Sequence, residues 1–183
     1  MGIPAANENR VVFMGNSITI GWLNKRPEFF ERKPYINRGI SGQTTPQMLL
    51  RFRQDVIDLK PKVVVILAGT NDIAGPSTPK MILDNIKSMT ELAKANGIKV
   101  IISSVLPAFD YPWKPGLNPN EKIPALNKML KEYTEANGHI YLDYYTAMAD
   151  DRNGLPKKYA DDEVHPTEAG YAVMEPLVEA AIK

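Results

Sequence analysis

Val11-Val12-Phe13-Met14-Gly15-Asn16-Ser17 is the stretch on which the fold turns: four consecutive apolar residues run into a turn of small and polar ones. An apolar run without polar alternation describes a strand buried on both faces, as in a parallel sheet covered by helices on each side. The same pattern returns at Tyr35 to Asn37, Val63 to Ala68, Val100 to Ser103 and Ile140 to Leu142, so five parallel strands are expected. Amphipathic stretches fill the intervals. Thr45-Pro46 opens one with a cap and a first-turn proline, Leu49, Phe52, Val56 and Leu59 share its inner face, and Pro61 stops it. Thr78-Pro79 opens the next, with Ile82, Ile86, Met89 and Ala93 facing inward and Asn96-Gly97 as its stop. A third is expected from about Lys122 to Ala136 around Leu126, Met129, Leu130 and Tyr133. A fourth starts near Pro166 with Ala169, Val173, Leu177 and Ala180 inward and Pro176 either kinking it or removing a hydrogen bond. Strands alternating with helices predict an α/β three-layer sandwich, a flavodoxin-like five-stranded parallel sheet.

The 183 residues, 44% of them hydrophobic, suit a single domain, expected over residues 11–183. Residues 1–10 are polar and featureless, as an unstructured or engineered segment or the remnant of a removed export signal would be, which tilts localisation slightly toward export. Lys+Arg 22 against Asp+Glu 21 gives no strong field for nucleic acid. The apolar runs fall far short of the roughly 20 residues of a membrane span. The absence of cysteine excludes disulfides, a thiolate nucleophile and Cys-based zinc. With only His139 and His165, a multi-histidine metal site is excluded too, and no metal or organic cofactor is expected.

The two histidines differ in setting. His139 follows Asn-Gly at the start of a strand, an ordinary place for a half-buried imidazole. His165 lies in Asp162-Glu163-Val164-His165-Pro166, where a short turn can set Asp162 against the ring, fix its tautomer and stabilise the imidazolium formed when it accepts a proton. Such a pair calls for a nucleophile. Ser17, at the carboxyl end of the first strand, is the best candidate, although a serine there is more often a helix cap. Gly42 and Asn71 follow the second and third strands, in Asn37-Arg38-Gly39-Ile40-Ser41-Gly42-Gln43-Thr44 and Gly69-Thr70-Asn71-Asp72, and can offer a backbone N–H and a side-chain amide to a carbonyl oxygen. Parallel strands put all three residues on one edge of the sheet, where ligands bind in open α/β folds. The long segment Pro107 to Asn120, carrying Phe109, Tyr111, Trp113 and four prolines, is expected to overhang that edge as a stiff wall.

Taken in order, Gly15-Asn16-Ser17-Ile18-Thr19, the segments around Gly42 and Asn71, and Asp162-Glu163-Val164-His165-Pro166 resemble the four sequence blocks of the SGNH (GDSL-type) hydrolases, spanning almost the whole chain. The resemblance implies an esterase with Ser17 as nucleophile, Gly42 and Asn71 in the oxyanion hole, and Asp162 and His165 completing the triad. Two positions depart from the family pattern: Asn16 stands where aspartate is usual, and Gln43 where aspartate is more common. Thr19 occupies the second glycine position of the Gly-x-Ser-x-Gly elbow, so the α/β-hydrolase fold is disfavoured. The expected substrate is a small-molecule or glycan ester with a short acyl group, probed by Trp22, Tyr111 and Trp113 as stacking surfaces for sugar rings. Lysophospholipase, thioesterase or platelet-activating-factor-type lipid esters are the alternative. A flavodoxin-like or glycan-binding module without catalysis is the rival of another class, and it gives no reason for the Asp162 and His165 pair.

Overall fold

The computed structural model describes Ala5 and residues 8–183. Most of the N-terminal segment expected to be unstructured or left by processing lies outside the described residues. Arg10 is buried at the foot of the sheet, with its guanidinium donating to the Leu59 carbonyl. The strands are β1 (Val11–Gly15), β2 (Tyr35–Gly39), β3 (Val63–Leu67), β4 (Lys99–Ser103) and β5 (Ile140–Leu142). They form one sheet in the order β2-β1-β3-β4-β5, every pairing parallel. This is the flavodoxin-like order. The chain steps outward from β1 to β2 and then returns past β1 to β3, so the connections leave the carboxyl ends of β1 and β3 in opposite directions and open a crevice there.

Alternate residues of each strand feed different cores. Val12, Met14, Val64 and Ile66 pack with Met48, Phe52, Ile82, Ile86, Met89, Leu126 and Leu130 from α3 (Thr45–Asp55), α5 (Pro79–Ala95) and α6 (Pro119–Ala136). Val11, Phe13 and Val65 pack on the other face with Ile18, Trp22, Phe29, Tyr171, Met174 and Val178 from α1 (Ser17–Lys25), α2 (Pro27–Phe30) and α8 (Glu168–Ile182). Both faces are therefore dry, which is why the strands read as unbroken apolar runs; each fully buried side chain of this kind contributes roughly 1.5–3 kcal/mol relative to exposure. Short helices α4 (Thr70–Ile73) and α7 (Tyr145–Met148) follow β3 and β5.

Several boundaries differ from expectation. The helix of Leu49 and Phe52 stops at Asp55. Val56 is its cap, Ile57–Leu59 form a single 3-10 turn, and Lys60 adopts φ 48, so Leu59 is buried from a turn and Pro61 lies beyond the helix. Helix α6 starts at Pro119 instead of Lys122, because a first-turn proline lacks only a donor that the helix would leave unused, while Pro124 inside it forfeits one bond. In α8 the inward stripe is Gly170, Tyr171, Met174 and Val178; Ala169 and Ala180 are exposed and Val173 and Leu177 sit at its flank. The large Tyr171 stacks on Trp22 and Met174 is buried in the same core, and that packing sets the helix's rotation.

The β1–α1 turn is compressed. Gly15 and Gly39 are paired neighbours at the strand ends, and a β-carbon on Gly15 would collide with the Thr19 side chain, on Gly39 with the backbone nitrogen of Ile20. Only glycine lets the first turn of α1 lie so close against both strands.

Candidate active site

Ser17 is the first residue of α1, with Asn16 alone between it and the end of β1. The helix cap is its neighbour: buried Asn16 accepts the Ile18 N–H on Oδ1 at 3.0 Å. Capping needs an acceptor and no charge, so asparagine serves at this position. The Ser17 hydroxyl is thereby free for another partner and lies 3.0 Å from His165 Nε2.

His165 sits in the turn before α8. Asp162 Oδ1 accepts the N–H groups of Val164 at 3.0 Å and His165 at 2.7 Å, and Oδ2 lies 2.6 Å from His165 Nδ1. A carboxylate only accepts, so Nδ1 carries the proton and Nε2 offers its lone pair to the Ser17 hydroxyl. Folding three residues this tightly requires Glu163 at φ 61, a left-handed conformation that costs roughly 1–2 kcal/mol in a non-glycine residue. The turn is anchored by Thr167, whose N–H and hydroxyl both donate to the Tyr159 carbonyl, at 2.7 and 3.1 Å.

Serine and histidine are 148 positions apart, and α1 and α8 bring them together. Tyr171 donates its hydroxyl to the Ile18 carbonyl at 2.7 Å, Lys25 donates to the Pro166 carbonyl at 2.9 Å, and Arg26 grips Glu175 with two bonds of 2.9 Å. The other histidine, His139, precedes β5 at the opposite edge of the sheet against Tyr133, where burial and Lys94 push its pKa down.

Burial pushes the Asp162 carboxyl up, but the hydrogen bonds from His165 and Val164 outweigh it and hold the group below the ordinary carboxylate range. A depressed folded-state pKa contributes stability that is present above the unfolded value, about 3.9, and is lost as pH falls through the folded one. Asp162→Asn is therefore expected to melt below the parent at neutral pH, with the gap closing in strong acid. Paired thermal melts from about pH 7 to about pH 2 check this; a gap that widens on acidification would overturn it.

The loop after β2 reaches the same edge. Ile40 N–H donates to the Gly15 carbonyl at 3.2 Å, and Gly42 follows exposed at φ +78 with nothing within 4 Å of where a side chain would start. Asn71, in α4 after β3, donates its amide to the Gln43 carbonyl at 2.9 Å, so Asn71 and the Gly42 loop are physically joined. One amide hydrogen of Asn71 makes that bond; an amide carries two. Asp72 is fully buried and accepts the Thr45 N–H on both oxygens at 3.0 Å and its hydroxyl at 2.6 Å. Burial raises its pKa, while the Thr45 bonds work against that rise. It ties α4 to the start of α3, a tertiary contact that no local pattern announces.

Of the three aromatic residues expected to face sugars, only Trp113 is exposed. Trp22 is 2% exposed, stacked between Phe29 and Tyr171, and Tyr111 is fully buried. Trp113 is 49% exposed, stacks on Tyr111 at 5.0 Å and stands 5.8 Å from the His165 ring. The wall expected from prolines is held chiefly by Asp110, which accepts the N–H groups of Tyr111 and Gly116, and by Lys114, which donates to the Ala74 carbonyl at 2.9 Å. Among the described residues, no helix is long and apolar enough to cross a membrane.

Comparison with known proteins places this geometry in context. The chain is similar to a GDSL-like lipase from Bacteroides thetaiotaomicron of known crystal structure, with a TM-score of 0.96 and 48% identity over 100% of this chain and 91% of the other. It is 28% identical to an acetylxylan esterase from Xylanibacter ruminicola, across 99% of this chain but only 45% of that protein, so it spans less than half of that relative. It is 27% identical to the human platelet-activating factor acetylhydrolase IB subunit alpha2, across 94% of this chain and 76% of that protein. The model of the GDSL-like lipase/acylhydrolase family matches residues 13–173, from the middle of β1 to well inside α8, and the chain belongs to that family.

Proposed function

We propose that this chain, acting as one domain over residues 11–183, is a serine esterase that removes short acyl groups, acetyl above all, from carbohydrates or other small polar alcohols. The observation that carries the reading is the unbroken chain from Ser17 through His165 to Asp162, at 3.0 and 2.6 Å. His165 Nε2 takes the Ser17 proton as Oγ attacks the ester carbonyl. The oxyanion is met by the N–H groups of Ser17 and Gly42 and by the Asn71 amide. His165 returns the proton to the departing alcohol, leaving an acyl-enzyme, and water repeats the sequence to release the acid. Asp162 orients the imidazole and stabilises its charged form.

The alcohol side of the site follows from the same geometry. The group that protonates a leaving alcohol must stand beside it, so an alcohol handed its proton by His165 lies next to Trp113. An exposed indole backed by Tyr111 suits the apolar face of a sugar ring. Two relatives carry names that denote removal of acetyl groups, one from xylan and one from platelet-activating factor. Action outside the cell membrane belongs to the same proposal, since polysaccharide esters are met there; fractionation of the native host checks it.

The test is kcat/KM across acetyl, butyryl, octanoyl and palmitoyl nitrophenyl esters. Each methylene buried in an apolar channel is worth about 0.8 kcal/mol, so a deep channel makes long esters better substrates, while a short pocket gains nothing beyond two or three carbons. A steep fall beyond butyryl is expected. A steady rise to palmitoyl would overturn the short-acyl reading in favour of lysophospholipid or thioester substrates. Trp113→Ala is expected to lower kcat/KM about threefold to tenfold on acetylated pyranosides and leave ethyl acetate unchanged, the magnitude of one stacking contact; equal losses on both would remove Trp113 from the alcohol site.

A further inference from the structure

The turn after β1 and the loop after β2 each carry one backbone donor of the proposed oxyanion hole, and a single side chain ties them together. Arg51, on the second turn of α3, is 11% exposed. Its Nη2 donates to the Gly15 carbonyl at 3.0 Å, its Nε to the side-chain carbonyl of Gln43, and its Nη1 to Asp55 at 2.6 Å. Gly15 lies two residues before Ser17, and Gln43 lies one residue after Gly42. Gln43 is held at its other end too, its backbone carbonyl accepting the Asn71 amide. Gly42, at φ +78 with nothing within 4 Å of where a side chain would start, has no side chain to anchor it, and the turn that contains it is closed by a long bond of 3.4 Å from the Gln43 N–H to the Ile40 carbonyl. Bonds made by Gln43 therefore bear on the position of its peptide.

We propose that Arg51, acting through Gln43, is the positioning residue that sets the Gly42 N–H against the Ser17 N–H and hydroxyl. This rests on the serine-esterase reading. A planar guanidinium holds two acceptors in a fixed relative position, which a lysine ammonium does not. Donors stabilise an oxyanion only when they are already aimed at it, and a misplacement of about 1 Å can cost a hundredfold in rate. Asp72 and Thr45 hold the N-terminus of α3, so the arm that carries Arg51 starts from a fixed base.

The test compares Arg51→Met, Arg51→Lys, Gln43→Ala and Gln43→Glu with the parent on nitrophenyl acetate, reading kcat, KM, the acid limb of the pH profile, Tm, and the rate at which a nitrophenyl phosphonate inactivates the enzyme. Arg51→Met, Arg51→Lys and Gln43→Ala are expected to lose about tenfold to a hundredfold in kcat, with KM and the acid limb unchanged and phosphonylation slowed in parallel. Gln43→Glu, which keeps an acceptor for Arg51, should retain at least about half the parental kcat. A lowered Tm with parental kcat, a loss confined to KM, or full activity in Gln43→Ala would overturn the proposal. Ser17→Ala, run alongside, separates the two failures: an active Ser17→Ala defeats the serine reading, whereas an inactive one beside a fully active Arg51→Met defeats this inference alone.

Discussion

Ser17→Ala is expected to lower kcat/KM for nitrophenyl acetate by at least about four orders of magnitude while the protein melts within a few degrees of the parent. The two halves of that expectation have separate causes. Activity is lost because the substitution removes the oxygen that His165 Nε2 faces at 3.0 Å, and no cysteine elsewhere in the chain can substitute for it. Stability is kept because the start of α1 is capped by Asn16 and not by Ser17. Residues that act as a unit are strongly non-additive, so Ser17→Ala combined with His165→Ala is expected to be little worse than Ser17→Ala alone. Initial rates together with circular-dichroism melts check both parts. Turnover in Ser17→Ala within tenfold of the parent would rule out attack by this hydroxyl.

Asn71→Ala carries the second large effect, a fall in kcat of about a hundredfold to a thousandfold, the range found when one oxyanion donor is deleted. Here the deletion has two consequences. It removes the amide proposed to meet the oxyanion, and it releases the Gln43 carbonyl, so the loop carrying Gly42 loses its brace from α4. Asn71→Asp keeps the shape but replaces a donor with a carboxylate that repels both Gln43 O and the oxyanion, and it should be at least as slow. KM for both variants should stay close to the parental value, because the lost bond to substrate forms only as charge develops. A loss confined to KM would assign Asn71 to substrate binding.

The parts of the molecule legible in the sequence are those set by local pattern. Val11 to Met14 and Val63 to Leu67 announce a doubly covered sheet because each alternate residue meets a dry helical layer. The contact of Asp162 with His165 follows from a spacing of three residues and one tight turn. What stayed illegible depends on the rotation and depth of elements far apart in the chain. Residue type alone cannot tell that Trp22 is buried under α8 while Trp113 stands free beside His165. The inward stripe of α8 cannot be read from residue type, because Val173 and Leu177 are as apolar as the residues that face the core and the stacking of Tyr171 on Trp22 selects the rotation. Arg51 looks like an ordinary helix charge until β1 and β2 lie side by side and bring Gly15 and Gln43 within its reach.

The contrasting environments of the two tryptophans divide the intrinsic fluorescence of this protein into two signals. Trp22, buried among Phe13, Phe29, Phe30, Tyr144 and Tyr171 with its indole N–H donating to Glu175 at 3.4 Å, is expected to emit to the blue while α8 supplies Tyr171 and Glu175, so a red shift would report the undocking of α1 from α8. Trp113, exposed and 5.8 Å from the His165 ring, is expected to emit to the red, with an intensity that responds to ligands and to the protonation of that imidazole. Replacing either indole by phenylalanine leaves a single-tryptophan protein in which assembly and ligand binding can be timed separately without an added dye.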